Sequence, residues 1–247
     1  MDKRNLTNFI SKYFLSGNAP SVAWEVGDQL KTRFITDDRA LVGEIIHREQ
    51  LHTSEGGVDS AEKLSIYNTE LLLKMLSVLG TDITFEMVKR VENSRVNHLI
   101  LADGNTTLKY MLSDPSVISP VPEMKKALDY GITIQLDKDL SDRFLRARSA
   151  LPTETKFVIS KDKKKGTYQL VLGGSGKDVN RITLDVITNV KSDIAPISFS
   201  VKYFAEILAA NKDAETGAME IAENALAKIS FNTELQSSTY YLLRQED

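Results

Sequence analysis

Arg4-Asn5-Leu6-Thr7-Asn8-Phe9-Ile10-Ser11-Lys12 and Lys138-Asp139-Leu140-Ser141-Asp142-Arg143-Phe144-Leu145-Arg146 decide the fold, because they read as one helix written twice. Leu6-Thr7-Asn8 lies over Leu140-Ser141-Asp142 at an offset of 134 (residue 6 to residue 140). At that offset Arg4, Asn8 and Lys12 meet Lys138, Asp142 and Arg146. Further on, Leu64-Ser65-Ile66 meets Ile197-Ser198-Phe199 at 133 (64 to 197), again just ahead of a helical pattern. A chain of 247 residues can hold two units of about 120, each with its own core. The repeat therefore predicts two similar domains, residues 1–113 and 131–247. Residues 114–130 connect them: Pro115, Pro120 and Pro122 fall within eight residues, removing backbone donors and biasing their neighbours to extended forms.

Working outward, the first helix carries Leu6, Phe9, Ile10, Tyr13 and Phe14 at i, i+3, i+4 spacing and ends at Gly17-Asn18. Strands are expected at 21–26, 30–36 and 41–47, with Gly27-Asp28 and Asp37-Asp38 as turns. Residues 52–60 are polar and contain glycine, hence a surface loop. A short strand at 63–66 leads into a helix over 67–79, and strands at 83–88, 96–102 and 106–111 close the first copy. The second copy repeats the order: a strand at 132–136, a helix over 138–151, and strands at 156–160, 168–172 and 181–190. A strand at 197–200 then leads into a helix over 201–211, with final strands at 218–222, 227–232 and 238–243. It differs in opening with a full strand, where the first copy has only about four residues available. Adjacent antiparallel runs of strands beside few helices make an α+β pattern.

Composition narrows the function classes. An apolar content of 42% and a charged content of 26% are ordinary for a globular protein. No run approaches the roughly 18 apolar residues that span a bilayer. Met1-Asp2-Lys3-Arg4-Asn5 precedes amphipathic sequence, which reads against a secretory signal. The absence of cysteine excludes disulfides, thiolate metal sites and thiol catalysis, and fits a cytoplasmic setting. A net charge of −3 does not favour nucleic acid for the molecule as a whole, so contact with phosphates requires positive charge gathered on one surface.

The helices offer that surface. At about 100° per residue, Leu140, Phe144, Ala147 and Leu151 face one side, with Lys138, Asp142 and Arg146 opposite and Arg143 and Arg148 on the flanks. In the first helix Leu6, Ile10 and Tyr13 point inward while Arg4, Asn8 and Lys12 point outward. In the last, Phe204, Ile207 and Leu208 form the apolar side while Lys202 and Glu206 point away. For the helix over 67–79 the core side is expected at Leu71, Met75 and Val78, with Lys74 on the edge and Thr69, Leu73 and Ser77 opposite. A solvated helix face carries cations in any case; recurrence at one offset is what favours a shared function.

No constellation for chemistry emerges. His47, His52 and His98 lack metal-ligand spacing. Gly173-Gly174-Ser175-Gly176-Lys177 lacks the spacing of a phosphate loop, because Asp178 follows the lysine, and it reads as a hairpin tip. Lys161-Asp162-Lys163-Lys164-Lys165-Gly166 is an exposed turn, or alternatively a loop touching phosphates or an acidic partner. No acid/base pair or nucleophile motif is singled out. The expectation is a protein without catalytic residues, metal or cofactor.

The duplicated domain with two helices among strands resembles the DNA polymerase sliding clamps, especially those of T4-like bacteriophages. The connector Asp114-Pro115-Ser116-Val117…Pro120 and the ending Ser238-Thr239-Tyr240-Tyr241-Leu242-Leu243 with its short acidic tail complete the resemblance. It implies two tandem clamp domains per chain, with antiparallel sheets outside and two helices per domain inside. Three chains would close head-to-tail into a homotrimeric ring around duplex DNA, binding it without sequence preference. The partners implied are a DNA polymerase and a clamp loader, with no membrane, in the host cell cytoplasm if the protein is viral. Carried over by position, Arg4 and Lys12 face the hole from the first helix, Lys138, Arg143 and Arg146 from its duplicate, Lys202 from the last helix and Lys74 from the edge of the second. Clamps bind partner tails in an apolar pocket beside the connector; Ile118, Val121 and Leu242 are the candidates, with ordinary core packing as the other reading. A non-catalytic virion or scaffold protein built from the same duplicated domain is the alternative.

Overall fold

The computed structural model describes residues 2–49, 62–90, 95–123, 128–174, 176, 178–222 and 226–245. The expected loop over 52–60, His52, Lys177 and part of the connector lie outside the described residues. The chain packs as two compact units: Met1–Asp37 with Val42–Pro122 and Glu234–Ser238, and Asp38–Leu41 with Glu123–Thr233 and Thr239–Asp247.

The first unit opens with α1 (Lys3–Phe14), whose start is fixed by Asp2 accepting from the Arg4 amide at 2.7 Å. The helix stops where Leu15 and Ser16 turn left-handed and Gly17 follows at a φ of 100°. Strands β1 (Val22–Val26), β2 (Leu30–Ile35), β3 (Leu41–His47) and β4 (Glu62–Ile66) pair antiparallel in the order β3-β2-β1-β4. Then come α2 (Thr69–Leu76) and the antiparallel sheet of β5 (Thr84–Lys89), β6 (Val96–Ala102) and β7 (Thr107–Met111). The apolar stripe of α1 delivers Phe9 and Tyr13 edge-on to Trp24, at 5.7 and 6.4 Å between ring centroids. Such pairs add about 0.5–1.5 kcal/mol beyond area burial. Tyr13 then reaches Thr69 at 3.4 Å, tying α1 to α2, and burial pushes its phenol far up from the ordinary value.

The second unit runs β8 (Tyr130–Asp137), α3 (Lys138–Ala150), β9 (Lys156–Lys161), β10 (Tyr168–Gly173), β11 (Arg181–Asp185), β12 (Thr188–Val190), β13 (Ile197–Ser200), α4 (Val201–Ala210), β14 (Thr216–Ala222), β15 (Leu226–Asn232) and β16 (Gln236–Leu243). One sheet has the order β11-β10-β9-β13, and β12-β8-β14-β15-β16 follow one another in a second. Asp137 caps α3 by accepting from Leu140 N at 2.7 Å, and Ser200 caps α4 by accepting from Tyr203 N. Phe144 from α3 meets Phe157 and Phe204 edge-on at 5.1 and 4.7 Å, so the two helices share one aromatic core.

The repeat extends to sheet order: β3-β2-β1-β4 reappears as β11-β10-β9-β13, each followed by a helix at the same place. The missing opening strand of the first copy survives as one antiparallel bridge, Asp2 to Asp82, where the second copy pairs β8 along β14.

Two expectations are corrected. The run 181–190 is not one strand: the chain leaves β10 after Asp185 and joins β8 at Thr188, changing sheets between. The core side of α2 is Thr69, Leu72 and Leu76, not Leu71, Met75 and Val78. Leu71, Leu72, Leu73, Met75, Leu76 and Val78 encircle that helix, so the 3.6-residue period admits two phases and packing selects one. Tyr110 selects it by bonding both the amide and carbonyl of Asn68, the N-cap, at 3.1 and 3.0 Å.

Candidate functional site

The outward faces of α1, α2, α3 and α4 carry the candidate charges, Lys12 excepted. On α3, Lys138 and Arg146 are exposed and form no ion pair among the described residues. Arg143 sits on the same helix but is held by Asp139 at 2.8 Å, one turn back. On α4, Lys202 is exposed and lies 5.4 Å from the Tyr203 ring centroid, an arrangement that leaves its ammonium outward. Arg148 joins α3 to α4 through Glu206 at 3.0 Å, so the half-buried glutamate is a structural partner and does not dilute the outer charge.

The first unit presents less. Arg4 is exposed but bonds Asp2 through Nη2 at 2.7 Å; the guanidinium holds the Asp2 carboxyl below the usual carboxylate range and the carboxylate raises Arg4 in turn. Lys74 is exposed on α2 and reaches Glu70 at 2.6 Å, an i, i+4 pair that likewise pushes the glutamate down. Exposed pairs of this kind contribute little stability. Their consequence is that each cation arrives with a carboxylate beside it.

Lys12 does not face outward. It is 2% exposed, and it lies near enough to His47, itself fully buried, to disfavour that ring's protonation. The helical angle of Lys12 matches that of Arg146, but the flank of α1 is covered where the flank of α3 is open. The matched cations therefore hold at Arg4 and Lys138 and fail at Lys12 and Arg146.

His47 gives this covered flank a measurable property. Burial, its largest cause, pulls the ring below its ordinary value of 6.5, the neighbouring Lys12 adds to that, and Glu49 opposes both. With the folded state reluctant to take the proton, the unfolded state binds more protons below about pH 6.5. Stability is thus full above that pH and falls as the solution is acidified. Thermal melts from pH 7.5 to 5 should show this decline, and His47→Gln should flatten it; an unchanged slope in the variant would assign the decline to other groups.

The connector begins on β4, where the Ser113 amide donates to Ser65 O at 3.1 Å. Asp114 caps a short 3-10 turn over Pro115–Val117 by accepting from Ser116 N at 2.9 Å. Val117 is exposed, while Ile118 and Val121 are half-buried, consistent with partial access from solvent. Leu242 is fully buried in the core and cannot meet a partner. Its neighbour Leu243 is 48% exposed. In β16 alternate residues face opposite ways, which turns Leu242 inward and Leu243 outward.

Three apolar side chains are left open to solvent, two of which, Leu71 and Val78, were expected in the core. Tyr67 just before α2, Leu71 on it and Val78 just after it are 60, 47 and 68% exposed. Their signal was present, since this helix has more apolar positions than one face can bury. Lys212, exposed just after α4, escaped the sequence reading because it falls outside the helical period. Among the described residues no group of histidines and carboxylates could hold a metal ion. Among the same residues no helix is long and apolar enough to cross a membrane.

No family model and no curated protein matches the sequence. The structure is similar to solved structures along nearly its whole length. The proliferating cellular nuclear antigen of Entamoeba histolytica superposes with a TM-score of 0.75 at 17% identity, over 99% of this chain and 96% of that one. PCNA from Thermococcus kodakaraensis gives 0.73 at 17%, over 99% and 98%. A. fulgidus PCNA, in a structure with the C-terminal region of FEN-1 bound, gives 0.74 at 16%, over 100% and 97%. The chain therefore has the PCNA-like clamp fold, an α+β architecture of antiparallel sheets and four helices.

Proposed function

We propose that this chain is the subunit of a ring-shaped sliding clamp that encircles duplex DNA and tethers a replicative DNA polymerase for processive synthesis. Its role is mechanical, with no catalytic residues. The observation that carries the reading is the duplication, in which sheet order, helix positions and the exposed Arg4 and Lys138 all recur. A ring needs repeated units with one face turned to the DNA, and the repeat supplies them. The domains are residues 1–113 and 131–247, joined by 114–130.

Assembly from three identical chains, head-to-tail, is part of the proposal. Such contacts are heterologous and close into a ring when the rotation permits. The two surfaces have candidates. In the first unit β7 is a terminal strand with Thr107, Lys109 and Met111 exposed, and α2 packs beside it with Tyr67, Leu71 and Val78 outward. In the second, β11 is a terminal strand with Arg181, Thr183 and Asp185 exposed, α3 packs beside it, and Val179 and Ile187 are exposed near its ends. An unpaired strand edge bordered by apolar side chains favours pairing with another chain.

DNA in the hole would meet Lys138 and Arg146 first, with Arg143, Lys202, Arg4 and Lys74 as weaker contributors. Attraction to phosphates needs no base readout and permits sliding. A polymerase and a clamp loader are the protein partners, docking by apolar tails beside Ile118 and Val121. The connector and the ending 238–243 favour the T4-like bacteriophage type of clamp, working in the host cytoplasm. Particle images test the assembly: closed rings with a central hole are expected. A strictly monomeric or dimeric species at high concentration would sink the proposal, and shells or tubes indifferent to DNA would favour a scaffold.

A further inference from the structure

Residues 119–123 of the connector make one hydrogen bond to the sheets of the first unit among the described residues. Arg33 Nη2, on β2, donates to Pro122 O at 2.6 Å. The same guanidinium stands 4.0 Å through Nε from the Glu44 carboxylate, which is its partner in the β2–β3 register. Arg33 and Glu44 are 34% and 47% exposed at the side chain, so neither is locked by burial. The face they share carries Ile35 and Val42, a register pair, and Ile46, all three half-buried. Arg33 thus stands at the edge of an apolar strip with two acceptors to choose between, one on its own sheet and one on the connector.

We propose that Arg33 is the positioning residue of the connector: its bond to Pro122 holds Val121 and the preceding residues against the outer face of β2 and β3, and its release toward Glu44 frees them. The partner would be an apolar protein segment that inserts where the connector lifts. This rests on the reading that partners dock beside the connector. An arginine suits the role because its fork presents several N–H donors, so it can pass from the carbonyl to the carboxylate and stay charged and bonded throughout, which a lysine does less well. The bond is charge-assisted, and its partial exposure limits its strength.

The absence of cysteine makes a clean test available. Val121→Cys becomes the sole thiol, and its rate of reaction with dithionitrobenzoate reads how often the connector lifts. Combining it with Arg33→Ala should raise the rate about three- to tenfold, the scale for losing one partly exposed charge-assisted bond. Arg33→Lys should fall between, since one N–H donor remains. Hydrogen exchange of the β2 and β3 amides should stay unchanged in both. An unchanged thiol rate in Arg33→Ala overturns the proposal, as does a faster rate accompanied by lost protection in β2 and β3, which would mean general loosening. Because no partner is present in the assay, it reads the latch separately from the docking site.

Discussion

Reversing Lys138 and Arg146 together to glutamate should weaken affinity for linear duplex DNA at least tenfold at about 0.1 M salt. Both are exposed helix cations without a carboxylate partner among the described residues, as is Lys202, whose ammonium lies 5.4 Å from the Tyr203 ring centroid. In an acidic molecule they supply the local attraction that offsets the overall repulsion from phosphates. Each phosphate that the variant no longer neutralises should reduce the slope of log affinity against log salt by about 0.9. Arg4→Glu or Lys74→Glu should cost less than half as much, because Asp2 and Glu70 already neutralise those cations. Lys12→Glu should act on stability, since this side chain is buried beside His47. Affinity measured across a salt series separates the three classes. Equal losses for Arg4→Glu and Arg146→Glu would mean that the intrahelical pairs open on binding and the ranking is wrong.

Placing aspartate at both Leu71 and Val78 should abolish assembly while leaving each chain folded. The two side chains are 47% and 68% exposed, so roughly half of their apolar surface remains for a contact. Full burial of one such side chain contributes about 1.5–3 kcal/mol, so the available share of the pair is about 2–3 kcal/mol. Carboxylates forced into that contact add a desolvation cost. The association constant should fall at least a hundredfold at each interface. Leu72→Asp is the contrasting control, because Leu72 is fully buried and its loss should unfold the unit. Circular dichroism and light scattering read the two outcomes together. Retention of the assembled species by the Leu71/Val78 double variant would move the interface elsewhere.

How much of this was readable beforehand depended on whether a local pattern had one solution. The helices α1 and α3 were legible because Leu6, Phe9, Ile10 and Tyr13, and Leu140, Phe144 and Ala147, fit a single apolar stripe. The duplication was legible to fine detail, including the truncated start that the structure renders as the Asp2–Asp82 bridge. The phase of α2 was not, because six apolar residues leave the period degenerate and Tyr110, distant in sequence, breaks the tie. The break between β11 and β12 was hidden because Val186-Ile187-Thr188 resumes a β-prone run directly after Asp185, with no glycine or proline to mark the change of sheet. In the candidate site, the exposure of Lys138 and Arg146 on α3 followed from the helical period. Lys12 was misread because burial of a flank depends on neighbours such as His47, and Leu242 because alternation names a pair of faces without saying which is inward.

The proposed function is topological: the assembled protein would be linked to DNA by encirclement, with only weak contacts along it. Load it onto nicked circular DNA, isolate the complexes at moderate salt, and cut the circle once with a restriction enzyme while following the bound fraction. Encirclement predicts that the protein persists on the intact circle and is lost through the free ends within the time of cutting. Equal retention on circular and linear DNA would contradict it.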